Sequence, residues 1–404
     1  MKDTRRGFLS SSAALAAWLG MGGRAFGAPR PKFGFDVTKC KVNPRFVGHP
    51  LFSGEPVCGV NLGFLSKRGY FAREDVKRMP REMAESGVNW CMLNTHFCQE
   101  TFASRKLFFD PVYSAGEIEL TEIVKRLKGE GLHVCLKPCL TTLDSSWMGA
   151  VRFPHDDHQI QGVHTSAKYW PEWFGSLREV LRLYGEFCER NGVEAALLGA
   201  EYTGTIDETE EWLKTFEEVR RIYSGPLSYE FTRNPEPDGD DSVYREWAAK
   251  IPFVDTVDFL SLSWYPRGRP HKGSEGIPKC PETTLREMVD YMRPARAKFD
   301  KTIAEYGPKP VLFTEIGQRS ARGCVSSPWD AWTETARDER EQADYMEAVF
   351  ETFADKPQWA GMFWWKWDET QKRDHFDPDP RKDRGFRIYG KSACDVFRKW
   401  SGRS

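Results

Sequence analysis

Two glutamates in this sequence stand at the ends of runs of small and apolar residues. The run AALLGAEY at 195–202 carries Glu201, and PVLFTEIG at 310–317 carries Glu315. A single glutamate in such a place often caps a helix or pairs with a lysine. Two acids brought to the same edge of a core can instead work on one bound molecule, one as a proton donor and the other as a nucleophile or base. We therefore take Glu201 and Glu315 as candidate catalytic residues.

The elements that would position these acids are eight short apolar runs, which alternate with charge-rich segments of helical period. The runs are PVCGVNLGFL (56–65), NWCMLNTHF (89–97), HVCLKPCL (133–140), AALLGAE (195–201), PLSYEF (226–231), DFLSLSWYP (258–266), PVLFTEIG (310–317) and GMFWWKWD (361–368). Strands that are apolar on both faces and are followed by helices indicate a parallel sheet covered on both sides. Eight of them favour an α/β fold of the closed (β/α)8 TIM barrel type. An open doubly wound sheet predicts a glycine-rich phosphate turn after the first strand, and GVNLGFLSKRG (59–69) does not supply it.

The domain organisation follows from this pattern. Residues 51–404 are predicted to form a single barrel domain, preceded by a Pro- and Lys-rich connector at 28–50. The segment after the third strand, LDSSWMGAVRFPHDDHQIQGVHTSAKYWPEWF (143–174), is long and predicts an elaborated loop over the barrel mouth. In a TIM barrel the active site lies at the carboxyl ends of the strands, where Glu201 and Glu315 are expected.

The N-terminus has the features of an export signal. Residues 1–27 contain a twin arginine, Arg5 and Arg6, then a weakly apolar stretch and small residues near Gly27. A membrane anchor is the alternative, but this stretch is short, rich in glycine and followed by Arg24. We expect a twin-arginine signal peptide, a periplasmic or secreted location, and no stable membrane anchor.

Composition narrows the classes of ligand. The formal net charge is −1 and no basic stripe is present, so a nucleic acid partner is not expected. The 15 tryptophans exceed what an ordinary core of this size needs and suggest stacking surfaces. The ten cysteines do not cluster as zinc ligands, and several lie within apolar strands, which favours buried free thiols over disulfides. We expect no cofactor and no metal, and no motif indicates an oligomeric state.

Several motifs, in order from the third strand to the last, carry a family resemblance. They are LKP (136–138), YWPEWFGSLREVL (169–181), GAEYTGT (199–205), YSGPLSY (223–229), PVLFTEIGQRS (310–320), EQADYMEAVF (341–350) and GMFWWKW (361–367). With them the chain resembles glycoside hydrolase family 113, within a large clan of retaining glycoside hydrolases. The resemblance implies a retaining hydrolase of β-1,4-mannan or a related glycan that acts by double displacement. Ala200 stands where much of the clan has an asparagine before the acid/base, and that family also departs from asparagine there, whereas Cys139 stands where a histidine is expected.

The resemblance also implies residue roles. Glu201 would be the general acid/base, Glu315 the nucleophile, and Tyr265 a hydrogen-bond donor to the nucleophile. Substrate contacts are expected from side chains at strand ends, in the long loop and after the seventh strand: His96, Lys137, Trp147, Trp173, Arg319, Trp365 and Trp367. Packing is the competing interpretation for Trp173 and Trp365.

Three alternatives remain open on sequence grounds. His155, Asp156, Asp157, His158 and His164 suggest a metal-dependent hydrolase, although they share one loop rather than several strand ends. A non-catalytic carbohydrate-binding barrel would keep the cleft without the chemistry. A β-glycosidase of different glycan specificity would keep the chemistry and change the sugar.

Overall fold

The computed structural model describes residues 56–403 apart from 152, 154–157, 161–162, 166, 234–251, 271–273 and 307–308. The predicted signal peptide at 1–27 and the connector at 28–50 lie outside the described residues. In the part that is described, no helix is both long enough and apolar enough to cross a membrane. The nine cysteines in that part are all free and buried.

Eight parallel strands close into a barrel, as the sequence predicts. They are β1 (Val57–Leu62), β2 (Trp90–Gln99), β3 (His133–Thr142), β4 (Ala195–Ala200), β5 (Leu227–Arg233), β6 (Leu260–Trp264), β7 (Val311–Ile316) and β8 (Trp359–Trp364). Each strand pairs with its neighbours in sequence, and β8 closes the ring against β1. Every predicted run contains or overlaps one of these strands, so the predicted (β/α)8 fold is confirmed.

Helices cover the outside of the barrel. They are α1 (Glu74–Glu85), α2 (Glu117–Gly129), α3 (Trp170–Asn191), α4 (Thr209–Arg220), α5 (Leu285–Tyr306), α6 (Glu339–Phe353) and α7 (Ala393–Ser401). The side chain of Asp338 caps the N-terminus of α6 by accepting a hydrogen bond from the backbone of Glu341, and α3 ends at Gly192 in the left-handed conformation. Between β5 and β6 the described residues form a short 3-10 helix, Pro252–Thr256.

The segment between β3 and α3 is elaborated, as predicted. It contains a 3-10 turn at Met148–Ala150, a small antiparallel hairpin of His158–Ile160 and Val163–Thr165, and a second turn at Ala167–Tyr169. This segment carries Trp147 to the barrel mouth.

The period of the strands fixes which side chains point into the barrel. In β4, Ala195 and Leu197 belong to the apolar cluster that fills the barrel, whereas Ala196 and Leu198 pack in the layer shared with the helices. Continuing that alternation places Glu201 on the inner side. In β7 the pairing register with β6 shifts between Phe313 and Glu315. Leu312 points into the barrel, so a strict alternation would turn Glu315 outward. The irregularity reverses that alternation and allows Glu315 to face inward as well.

Candidate active site

A cavity of about 450 Å³ opens at the carboxyl ends of the barrel strands. Both candidate catalytic glutamates line it. The full lining consists of Phe64, Lys137, Cys139, Met148, Ala200, Glu201, Glu230, Thr232, Ser263, Tyr265, Glu315, Trp329, Ala331, Trp332, Trp365, Arg373 and Phe386. The residues come from at least six of the eight strands or from the segments that follow them, which is the usual construction of a barrel active site.

Glu315 is held at both carboxylate oxygens. The phenol of Tyr265, which directly follows β6, donates a hydrogen bond of 2.9 Å to Oε1. The ammonium of Lys137 in β3 donates one of 3.0 Å to Oε2. Two donors on opposite oxygens fix the carboxylate in one orientation.

Glu201 occupies the residue directly after β4, and its backbone is in the left-handed region with φ of 59°. A non-glycine residue rarely adopts this conformation, and such strain tends to occur at functional sites. The backbone is held there by the N–H of Glu201, which donates to the carbonyl of Glu230 (3.2 Å), and by the N–H of Thr203, which donates to the carbonyl of Glu201 (2.8 Å). The chain therefore turns sharply as the carboxylate enters the cavity.

The two catalytic candidates lie close together. One carboxylate oxygen of Glu201 and one of Glu315 are within 4.8 Å of each other. When two carboxyl groups are about 5 to 5.5 Å apart, the second can attack an acetal carbon directly, whereas a gap of about 6.5 to 9.5 Å leaves room for an attacking water. Carboxylate oxygens at most 4.8 Å apart are closer to the spacing for direct attack than to the wider one.

The two glutamates differ in their electrostatic environment. Burial, with the negative charges of Glu315 and Glu230, raises the pKa of Glu201 to about 7. Its carboxyl group is therefore substantially protonated near neutral pH and can donate a proton. Burial and the adjacent Glu315 also raise the pKa of Tyr265 far above its ordinary value, so its phenol remains a donor.

The structure adds a third acid, Glu230 in β5, which the sequence reasoning missed. Its side chain is fully buried, and Oε1 lies 2.6 Å from the ammonium of Lys137, whose side chain is only 2% exposed. Burial alone would lower the pKa of Lys137, but the facing carboxylates of Glu230 and Glu315 outweigh it and raise that pKa. The sequence did contain a signal for this pair. Lys137 and Glu230 each interrupt a strand that is otherwise apolar on both faces, and opposite charges that are buried in one core must pair.

Of the predicted substrate contacts, Lys137, Trp147 and Trp365 reach the site. Trp365 lines the cavity. The indole N–H of Trp147 donates to Oε2 of Glu201 at 3.4 Å, and this side chain is 46% exposed. Lys137 lines the cavity but points its ammonium at two carboxylates. Direct contact of these three residues with sugar remains a prediction.

The other four predicted contacts lie behind the cavity lining. His96 is buried, with Nε2 accepting from the backbone of Leu65 and Nδ1 facing Thr141. Arg319 donates to the loop carbonyls of Asp330 and Thr333. The remaining two, Trp173 and Trp367, are buried, the first donating to Gln99 and the second packing on Tyr389. Any effect of these four on substrate would pass through the residues they support.

Aromatic residues on the far rim were not predicted. Trp329 and Trp332 follow β7, line the cavity and remain 40% and 74% exposed. Arg267 stacks on Trp329 and Arg373 on Trp332, with the guanidinium carbons 4.8 and 5.4 Å from the ring centres. The motif SSPWDAW signals exposed aromatics, but only the fold places them at the cavity.

Two groups of residues bear on metal binding. His155, Asp156 and Asp157 lie outside the described residues, and nothing is described of the side chains of His158 and His164. In the described chain, Glu201, Glu230 and Glu315 each offer one oxygen, all within 4.8 Å of one another. The ammonium of Lys137 pairs with two of these carboxylates and supplies the positive charge that a cation would bring. The arrangement fits two-carboxylate chemistry better than a metal centre.

Comparisons with known proteins agree with this geometry. The model of Glycoside Hydrolase Family 113 matches residues 60–391. The GH113 β-mannanase AaManA from Alicyclobacillus acidocaldarius, solved in complex with ManMIm, is 25% identical with a TM-score of 0.69, and the match covers 88% of this chain and 100% of that one. No curated protein sequence is significantly similar.

Two further solved structures show the same fold. A GH113 β-1,4-mannanase is 24% identical with a TM-score of 0.67, and the match covers 87% of this chain and 100% of that chain. A Glycoside Hydrolase Family 5 mannosidase from Rhizomucor miehei is 13% identical with a TM-score of 0.57, covering 92% and 98%. At these identities the likeness concerns the barrel alone.

Proposed function

The chain belongs to glycoside hydrolase family 113, and from this premise we propose that it hydrolyses β-1,4-linked mannan or a closely related β-glycan with retention of configuration. The observation that carries the proposal is the separation of at most 4.8 Å between carboxylate oxygens of Glu201 and Glu315 at the open end of the barrel. Its substrate is a carbohydrate, as membership of a glycoside hydrolase family implies.

In the first step Glu315 attacks the anomeric carbon. A bond forms between that carbon and a carboxylate oxygen of Glu315 while the bond to the glycosidic oxygen breaks. Glu201 gives its proton to the departing oxygen, which its raised pKa of about 7 permits near neutral pH. The product is a covalent glycosyl ester of inverted configuration.

In the second step water replaces Glu315. Glu201, now ionised, takes a proton from water as the oxygen attacks the anomeric carbon, and the ester bond to Glu315 breaks. Two inversions restore the original β configuration. Tyr265 and Lys137 donate hydrogen bonds to the carboxylate of Glu315 and would hold it as it leaves.

Among β-glycans, we propose mannan as the substrate on the basis of two relatives. The two family 113 structures described above are β-mannanases by name, at 24% and 25% identity. The exposed tryptophans at the mouth, Trp147, Trp329 and Trp332, suit stacking against pyranose rings. A different β-glycan and a non-catalytic carbohydrate-binding barrel are the competing functions.

The test is a substrate screen with the mature protein. It is incubated with β-mannan, glucomannan, β-glucan and xylan oligosaccharides, products are sized, and Glu315→Gln is the control. We expect cleavage of mannan-type substrates by the wild type alone. Cleavage of glucan or xylan only would support a different specificity, and binding without cleavage would support the carbohydrate-binding barrel.

We also propose export through the twin-arginine pathway, with the mature protein periplasmic or secreted. The support is the sequence of residues 1–27, with Arg5 and Arg6 ahead of a short apolar stretch. Replacing both arginines with lysine should leave the precursor in the cytoplasm, whereas the unaltered chain should yield an exported form lacking about the first 27 residues. Equal export of both forms would contradict the proposal.

A further inference from the structure

The strongest unassigned feature is the fully buried carboxylate of Glu230 beneath the reacting groups. Glu230 in β5 is level with Ser261 of β6, and Glu315 is level with Ser263, two residues nearer the opening. The side chain of Glu230 has no exposed surface. It therefore lies at the floor of the cavity, below the catalytic carboxylates, where it faces the ammonium of Lys137.

Glu230 shares one ammonium with the nucleophile. The Nζ atom of Lys137 is 2.6 Å from Oε1 of Glu230 and 3.0 Å from Oε2 of Glu315. Three charged groups, negative, positive and negative, therefore lie in a row, and the side chains of Glu230 and Lys137 are almost fully buried whereas that of Glu315 is 15% exposed. Removing one partner from such a buried group leaves an uncompensated charge, which costs more than an exposed ion pair is worth.

The charges change during the proposed reaction. In the free enzyme Lys137 faces two carboxylates. After attack Glu315 is an uncharged ester, so Lys137 would be left without a partner if Glu230 were absent. With Glu230 present the ammonium stays paired before and after the ester forms. The single positive charge of Lys137 is also shared between Glu230 and Glu315, so it orients Oε2 of Glu315 without fully neutralising the attacking carboxylate.

We propose that Glu230 is a positioning residue that anchors Lys137 and so keeps the nucleophile Glu315 oriented and reactive through both steps of the reaction. This inference deepens the proposed function and rests on its two-glutamate mechanism. It assigns Lys137 to the nucleophile and not to a sugar hydroxyl.

Glu230 also affects the acid/base. The charged and titratable groups that face Glu230 come from several elements: Lys137, Cys135 and Cys139 of β3, Glu201 after β4, Tyr229 of its own strand, Tyr265 after β6, and Glu315 of β7. Burial contributes most to the raised pKa of Glu201, and the charges of Glu315 and Glu230 add to it. Loss of the charge of Glu230 should therefore lower the pKa of Glu201.

The variants for the test are Glu230→Gln, Lys137→Met and the double variant. The matched control is Glu194→Gln, because Glu194 is also a buried glutamate paired with a lysine, Lys128, but directly precedes β4 at the opposite end of the barrel. Thermal unfolding is measured for every variant, so that loss of folding is separated from loss of positioning.

For Glu230→Gln we expect kcat to fall about 10-fold or more with KM changed less than about 2-fold, and the alkaline limb of the kcat/KM profile to move to lower pH by about half a unit or more. The double variant should be at least as active as Lys137→Met, since no unpaired carboxylate is left buried. Glu194→Gln should lose stability and keep the wild-type pH profile.

Three results would overturn the proposal: a wild-type pH profile in Glu230→Gln, a strictly multiplicative loss in the double variant, or an equal shift of the profile in Glu194→Gln. A titration of ¹³C-labelled Glu201 in the free enzyme needs no substrate and should show the lower pKa in Glu230→Gln. If the wild type cleaves no β-mannan, the proposed substrate fails while this titration still decides the role of Glu230.

Discussion

The phenol of Tyr265 donates a 2.9 Å hydrogen bond to Oε1 of Glu315, from the residue that follows β6 to a carboxylate on the neighbouring strand β7. This bond leaves the other oxygen, Oε2, in contact with Lys137, so the orientation of Glu315 is set by two independent elements of the barrel.

Replacing Tyr265 with Phe should lower kcat on the order of 10²-fold, because one preorganised donor to the reacting carboxylate is lost. Steady-state kinetics on a β-manno-oligosaccharide measures this decrease in kcat. Tyr223→Phe is the control, since its buried hydroxyl donates to the carbonyl of Val193 away from the cavity. That variant should lose about 1 kcal/mol of stability and no activity. Equal activity in the two variants would show that the Tyr265 bond is structural only.

The kcat/KM of the wild type should decline above about pH 7. Glu201 has to be protonated to act as the acid, and burial together with Glu315 and Glu230 raises its pKa to about 7. The decline should approach about tenfold per pH unit on the alkaline side. A profile that stays flat to pH 9 would contradict the assignment of Glu201 as the acid.

The stability of Glu201→Gln, measured relative to that of the wild type, should be greater at pH 8 than at pH 5. The folded pKa of Glu201 lies above the unfolded value, so the folded state binds its proton more tightly. The stability this provides is complete below about pH 4 and is lost as pH rises through about 7. Glutamine never ionises, so the difference in melting temperature should grow by about 1–3 °C across this range. Glu130→Gln, on an exposed residue, is the control, and a difference that shrinks with pH would refute the sign.

Trp147→Ala should raise KM for long oligosaccharides about 10-fold, because an exposed indole beside the acid/base can stack on a sugar ring. The side chain is 46% exposed and packs little of the core. Leu143→Ala removes a comparably exposed apolar group, 42% exposed, from the same segment and should leave KM unchanged. Initial rates over a range of oligosaccharide lengths make the comparison. An unaltered KM in Trp147→Ala would remove this residue from the substrate site.

The barrel could be predicted because its strands are apolar on both faces and are separated by amphipathic helices. The position of Glu201 also follows from sequence, since the alternation that starts at Ala195 continues to it. The inward orientation of Glu315 could not be deduced in this way. It depends on the register irregularity between Phe313 and Glu315, which breaks the period of two.

Glu230 was missed because it lies within a strand and not at its end. In PLSYEF it reads as an isolated polar residue, and the strand continues to Arg233. Its role depends on an ion pair with Lys137, which lies nearly a hundred residues earlier in the sequence and which the closed barrel brings within ion-pair distance. The rim residues Trp329 and Trp332 have the same dependence on the fold, because loops place them and no strand period applies.

The anomeric configuration of the first product tests the central claim most directly. The mature enzyme is mixed with a β-1,4-manno-oligosaccharide, and proton NMR follows the anomeric signals before mutarotation equilibrates them. Double displacement through Glu315, with Glu201 as acid and base, predicts that the β anomer forms first. First appearance of the α anomer would mean a single displacement by water, and it would contradict the assignment of Glu315 as nucleophile.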